Sequence, residues 1–256
     1  MGERIKVLVT VKTYPLPSES YGELVCTAGV REDGSFIRLY PIDYRMRPYW
    51  QWYKKYQWID LEVEKNERDP RAESFRPMPG TTIRCIGKPI LTKNKWAERK
   101  QYVLAKGVQN MCELEQSSLG ERSLAIIRPS QVLDFTAEPC ERDWQPKLKK
   151  LFEQKRLFGP LQKPLEKIPY KFSYSFKCEA LSCKGHTKMI EDWETAQLFR
   201  KMRDKFGSEE VAVEKVKERF LCMMCAPTVD THFFVGTILQ YNQWIILGVF
   251  WPKKEG

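Results

Sequence analysis

The chain has 256 residues, 42% of them hydrophobic and 30% charged, the balance of an ordinary globular protein with room for one large domain or two small ones. Forty-three Lys and Arg against 33 Asp and Glu leave a formal charge of +10, which favours a polyanionic partner, nucleic acid or an acidic protein, without selecting between them. No apolar run reaches membrane-span length, and the opening MGERIKVLVTV is neither a secretory signal nor a myristoylation site, so the expectation is a cytoplasmic protein with no membrane contact and reduced cysteines.

Residues 4–12 alternate as a strand, and the Pro15–Pro17 segment reads as a loop. GELVCTAGV (22–30) and SFIRLYPI (35–42) predict a hairpin closed at Asp33-Gly34, a dipeptide suited to positive-φ turns. In the second strand Ile37 and Leu39 share the expected core face, and Arg38 and Tyr40 are expected to face a groove. WIDLEVEKN from Trp58 is a further strand, and ERDPRAESFRPMPG (67–80) reads as a polar loop carrying Arg71 and Arg76. A loop of that length in a compact domain is often functional. TTIRCIGKPIL (81–91) predicts an interrupted strand, Lys95 to Met111 a helix, and residues 123–138 one or two strands.

Around residue 140 the character changes. Residues 143–158 read as a basic helix, 158–169 as a proline-rich connector and YKFSYSFKC (170–178) as a strand. Two helical segments follow, Ile190 to Phe206 and Glu209 to Leu221. HFFVGTIL and WIILGVFW form a hairpin across Gln240 to Gln243. Short strands punctuated by Gly and Pro with few helices predict an α+β protein of two small OB-like β-barrel or β-sheet subdomains, residues 1–138 and 139–256. The second would carry the helical insert. No internal repeat of fixed period is visible.

The densest chemistry lies in Arg38 to Trp58, RLYPIDYRMRPYWQWYKKYQW, with eight aromatic residues, five cations and one acid. Aromatic faces stack on unpaired bases while cations follow the phosphates, so a single-stranded nucleic acid is the favoured partner. Arg38, Arg45, Arg47, Lys54 and Lys55 would contact phosphates, Tyr40, Trp50, Trp52 or Tyr53 would stack, and Arg71 and Arg76 of the 67–80 loop would join the nucleic-acid-binding set. Aromatics also build small-barrel cores, with Arg and Lys stems along their edges. Most of the eight are therefore expected in packing and two to four in a ligand face.

Cys178, Cys183 and His186 stand in a C-x4-C-x2-H spacing at a strand end, and Cys222-x2-Cys225 follows. Thiolates and imidazole suit tetrahedral zinc, so a structural zinc is expected, held by the four cysteines or by Cys178, Cys183, His186 and one later cysteine. Buried small side chains are the alternative. Cys26, Cys85, Cys112 and Cys140 look isolated. Asp192 and Glu194 fit helix capping, and a general-base role for His186 with either acid is the weaker reading. Phosphate-loop, dinucleotide, nucleophile-elbow and zinc-deaminase motifs are missing, which argues against an enzyme.

VKTYPLPSESYGELVCTAGVREDGSFIRLYPIDYR, KKYQWIDLEVEKNERDPRAESFRP, FKCEALSCKGHTKMIEDWE and FFVGTILQYNQWIILGVFW together resemble the prokaryotic dual OB-containing domain family across nearly the whole chain. The resemblance implies two OB-like barrels in one unit, often encoded among nucleic-acid-centred defence systems. It points to Arg38, Tyr40, Arg45, the Asp69–Arg71–Glu73–Ser74 loop, and Cys178, Cys183, His186 and Asp192–Trp193–Glu194. It does not require the Cys222–Cys225 pair. The expected function is a non-catalytic nucleic-acid-binding accessory or recognition subunit of a defence system. The competing readings are a protein-interaction subunit with a structural zinc, and a nucleotide or nucleic-acid hydrolase.

Overall fold

The computed structural model describes residues 2–18, 22–118, 121–148, 165–240 and 243–255. The fold is mixed α+β, mostly sheet with few helices, as expected. In the first half β1 (Glu3–Lys12), β3 (Gly22–Val30), β4 (Phe36–Ile42), β6 (Ser74–Pro77) and β5 (Trp58–Lys65) pair in that circular order, because β5 also pairs β1. All neighbours are antiparallel except β4 and β6, which run parallel at Arg38↔Ser74 and Leu39↔Phe75. The result is a closed five-stranded barrel, consistent with the expected OB-like form. β2 (Leu16–Ser18) pairs with β3 and β7 (Arg84–Ile86) with β5.

Ile5, Val7 and Val9 of β1 point into this barrel with Val25, Ile37, Leu39, Ile59, Leu61 and Val63, the period-two alternation of strands. Leu8 and Val11 on the opposite face of β1 are equally buried, packed with Ala28 and Val30 against Leu124, Ile126, Phe234, Leu247 and Phe250 of the second half. The second half therefore covers the outer wall of the first barrel at these four residues, while Arg4 and Lys6 at the start of β1 stay exposed.

The second half contains β8 (Leu124–Ile127), β9 (Pro129–Pro139), β10 (Tyr170–Cys178), β11 (His186–Met189), β12 (His232–Ile238) and β13 (Gln243–Phe250). They form two three-stranded sheets, β11-β10-β9 and β13-β12-β8. Only Arg128 separates β8 from β9, and a parallel bridge joins Ile190 to Ile246, so the two sheets are connected at both ends. Counting β8 and β9 as one bent strand, the path repeats the order of the first barrel. Phe135, Phe172, Tyr174, Phe176, Phe220 and Phe233 fill the interior.

The main α-helices among the described residues are α1 (Lys93–Val103), α2 (Met111–Leu114), α3 (Trp193–Phe206) and α4 (Glu209–Lys217). α3 is capped by Asp192, whose carboxylate accepts from the Glu194 N–H at 2.9 Å, and ends at left-handed Gly207. Among the described residues no helix is long and apolar enough to cross a membrane.

Several expectations change. The helix expected from Lys95 to Met111 stops at Val103, ahead of left-handed Gly107, and Met111 starts a separate short helix. The loop expected at 67–80 contains β6, the strand that closes the barrel. Only Arg84–Ile86 of the strand expected over 81–91 is extended and paired. A boundary at 138 cuts through β9. Both β8 and β9 pair with later strands, so the change-over between halves precedes β8. The basic helix and connector fall largely on residues 149–164, outside the described residues, as does the turn at 241–242.

Candidate functional site

Most of the Arg38–Trp58 stretch is structure. Tyr44, Tyr53 and Tyr56 are buried, and the Tyr53 hydroxyl shares a 2.5 Å hydrogen bond with that of Thr27. Arg38 does not face a groove. It is 1% exposed and donates from Nη2 to the Ser123 carbonyl of the second half at 2.9 Å, while Glu73 accepts from Ser123 N and Oγ at 3.0 and 2.8 Å. Arg71 is buried beside it, bidentate to Asp69 at 2.8 and 2.6 Å and donating to the Thr237 carbonyl at 2.6 Å. Ser74 Oγ donates to Asp69 at 2.6 Å. The Asp69–Arg71–Glu73–Ser74 segment is thus a polar knot lashing the halves together.

Other cations of the stretch also have partners. Arg45 pairs with Glu23 at 3.1 Å, and Arg47 meets Asp43 at 2.7 Å, Gln51 and the Thr81 carbonyl at 2.9 Å. Trp52, half-buried, donates to the Arg47 carbonyl at 2.9 Å. Arg76 is exposed and paired with Glu64 at 2.8 Å. Of the expected ligand-facing residues, Tyr40, Trp50, Lys54 and Arg76 remain at the surface, and Tyr49 joins them at 83% exposure.

Lys55 reaches across the halves to Asp192, with Nζ 2.7 Å from both carboxylate oxygens, and stands 3.5 Å from Glu194. Burial pulls the Lys55 ammonium toward neutrality, but Asp192 and Glu194 outweigh it and keep it charged. Asp192 and Glu194 therefore serve as a cap and a counter-charge. Their partner is Lys55, and His186 is occupied elsewhere.

Between the halves Lys12, Lys54, Lys55, Tyr56, Trp96 and Arg99 face Trp193, Glu194, Arg219 and Trp251 across a cleft of about 470 Å³, within the usual range of ligand sites. It presents five cations, four aromatic rings and one carboxylate. Among the described ion pairs only Lys55 of these cations meets an acid. Arg99 lies 3.8 Å over the Tyr56 ring and 4.6 Å over Trp96, Arg219 lies 4.7 Å over Trp251, and Lys12 sits 4.2 and 4.4 Å from the centres of Tyr44 and Trp193. Ring quadrupoles hold the cations in place without neutralising them. Burial, and then the charge of Lys55, lower the Lys12 pKa to about 8. Such a wall can take a flat anion. Trp96, Arg99, Arg219 and Trp251 belong to no sequence motif, Trp193 entered only through the Asp192–Trp193–Glu194 segment of the resemblance, and of the expected contacts only Lys54 and Lys55 line this wall.

A second cluster gathers Cys112, Cys178, Cys183 and His186, whose ligand atoms all lie within 4.8 Å of one another and could hold a metal ion. Cys178 ends β10 and His186 opens β11, and Gly185, at φ 108°, turns the loop back so that His186 meets the sulfurs. Cys112 arrives from α2, where Asn110 caps the helix by accepting from Cys112 N at 3.0 Å. The pairs expected from spacing are revised accordingly. Cys222 is exposed and outside the cluster, and Cys225 is spent on the Phe220 carbonyl at 3.3 Å, with burial pushing its thiol up to about 12. Cys112, expected to be isolated, takes their place.

The chain belongs to the family described as Domain of unknown function (DUF8757), whose model matches residues 107–256. Residues 3–105 match a second model, Domain of unknown function (DUF8758). The matches meet ahead of β8, where strand pairing changes over. No curated protein matches the chain. A solved structure titled "Structure of murine DNA binding protein bound with ds DNA" is similar at 7% identity, covering 99% of this chain and 97% of that one with a TM-score of 0.33. Likeness at that level assigns neither fold nor ligand.

Proposed function

We propose that the protein binds nucleic acid in the cleft between its two halves. The carrying observation is the wall of Lys12, Lys54, Arg99 and Arg219, cations with no carboxylate in ion-pair contact among the described residues, set among Tyr56, Trp96, Trp193 and Trp251. Phosphates would be met by the cations and an unpaired base by the rings, which favours a single strand, since a duplex keeps its base faces stacked. The cost of burying Lys12 beside Lys55 is relieved when an anion enters, which gives the low Lys12 pKa a reason. The repeated strand order supports reading each half as an OB-like barrel. Membership of the dual OB-containing domain family, and a role as an accessory or recognition subunit of a prokaryotic defence complex, rest on the sequence resemblance.

The test is a titration of labelled single-stranded DNA, RNA and duplex at two salt concentrations, with the native chain and with Lys54→Ala, Arg99→Ala and Arg219→Ala. Each substitution is expected to weaken binding and to reduce the slope of log affinity against log salt by about 1. Unchanged affinity and slope in all three would remove the cleft as the interface. Binding of a protein partner that survives nuclease and high salt, with no nucleic-acid binding, would favour the interaction-subunit reading instead.

A further inference from the structure

We propose that Cys112, Cys178, Cys183 and His186 form a closed, structural zinc centre that fastens the segment leaving the first barrel onto the second. Four-coordinate zinc with bonds of about 2.3 Å to sulfur and 2.0–2.1 Å to nitrogen requires sulfur–sulfur edges of about 3.8 Å and sulfur–nitrogen edges of about 3.5 Å. Cys112 Sγ lies 3.5 Å from Cys178 Sγ, and His186 Nε2 lies 3.5, 3.4 and 3.3 Å from the sulfurs of Cys112, Cys178 and Cys183. Four of the six edges among these soft or borderline donors are therefore close to tetrahedral spacing, and the other two lie within 4.8 Å. An iron–sulfur cluster spreads its ligands over separate irons and needs them farther apart.

The surroundings select the same state. Glu115 Oε2 stands 3.2 Å from His186 Nδ1, and Lys188 holds the other Glu115 oxygen at 2.6 Å. A carboxylate on Nδ1 draws the ring proton there and turns the Nε2 lone pair toward the sulfurs, the usual support of a metal-bound histidine. The Cys178 N–H points at Cys183 Sγ from 3.4 Å, so the backbone of one ligand holds the sulfur of the next in place. Three thiolates and one imidazole fill the coordination shell, leaving no position for water or substrate, so the centre is structural.

Its mechanical role follows from where the ligands start. Cys112 sits on the crossing segment that leaves the first barrel after α1; the other three sit on the β10–β11 hairpin of the second. That segment is otherwise held by the Gln109 N–H on the Ile126 carbonyl at 2.8 Å, by Met111 and Leu114 in the core, and by Trp244 Nε1 on the Leu114 carbonyl at 2.9 Å.

The test uses the full chain, freed of any affinity tag. Elemental analysis is expected to give one zinc per chain for the native protein and for Cys222→Ser, and less than a tenth of that for Cys112→Ser. Because Cys112→Ser could unfold, Glu115→Gln is the second variant. It retains all four ligands and is expected to release zinc to a chromogenic chelator with an affinity about 10–100-fold weaker. Cobalt exchanged into the native chain is expected to show thiolate charge transfer and tetrahedral ligand-field bands. Absence of metal, iron in place of zinc, a full zinc equivalent in Cys112→Ser, or unchanged chelator competition in Glu115→Gln would each overturn the assignment.

Discussion

Replacing Arg71 with Met tests whether the polar knot, rather than a nucleic-acid contact, is the purpose of the Asp69–Ser74 segment. Met preserves much of the side-chain volume and removes the guanidinium. Burial pushes the Asp69 carboxyl up, but the hydrogen bonds from Arg71 and Ser74 prevail and hold its pKa down to about 2, from an ordinary 3.8. At about 1.4 kcal/mol per unit that depression corresponds to about 2.5 kcal/mol of stability at neutral pH. The charged hydrogen bond from Arg71 to Thr237 across the halves is lost as well, so the whole change is expected to cost about 3–5 kcal/mol. The sign of the pH dependence is fixed. A depressed carboxylate stabilises the fold above its unfolded pKa, and that contribution fades as pH falls through the folded value. Urea unfolding of native and variant chains at pH 7 and pH 3 should therefore show a difference whose Asp69 part has fallen by about half at the lower pH. Adding Asp69→Asn should recover part of the loss, since no buried charge is then left unpaired. A difference below about 1 kcal/mol at pH 7, or one identical at both pH values, would refute the reasoning.

Lys12→Met should raise stability at pH 7 by about 1–2 kcal/mol, because contacts with the Tyr44 and Trp193 rings offset only part of the burial cost. It should also abolish the gain in stability that native Lys12 contributes as pH rises from about 8 toward 10.5, while weakening nucleic-acid binding; thermal unfolding across that range and the titration check both. Gly236→Ala would place a Cβ 2.6 Å from Leu247, 3.0 Å from Leu124 and 3.1 Å from Arg38 Nη2, so a loss of about 1–3 kcal/mol in urea unfolding is expected. Tyr49→Ala and Trp50→Ala, at 83% and 63% exposure, should leave stability within about 0.5 kcal/mol. Their affinity for nucleic acid should also stay native if the cleft is the interface, and a large loss would move the interface to that loop.

Strands whose apolar residues alternate were legible, as were the Asp33-Gly34 turn and the Asp192 cap. β6 was not, because four residues ending in Pro77 carry too little pattern to stand out from a loop. The fate of Arg38 was hidden for a different reason. Alternation says which residues share a face, but not whether the second face meets water or another barrel. Cys112 lies 66 residues from Cys178 in sequence, and no spacing rule joins them, whereas the close Cys222–Cys225 pair suggested a chelate that the fold does not assemble. The cleft has the same character. Its rings and cations are brought together by docking, so the aromatic density of residues 38–58 drew attention to a stretch whose bulk is core.

Because Leu8, Val11, Ala28 and Val30 on the outer face of β1 and β3 pack against the second half, the first half is not an interchangeable cassette. A chain cut after α1 would expose Leu8, Val11, Ala28 and Val30 as a hydrophobic strip, the kind of surface that drives aggregation.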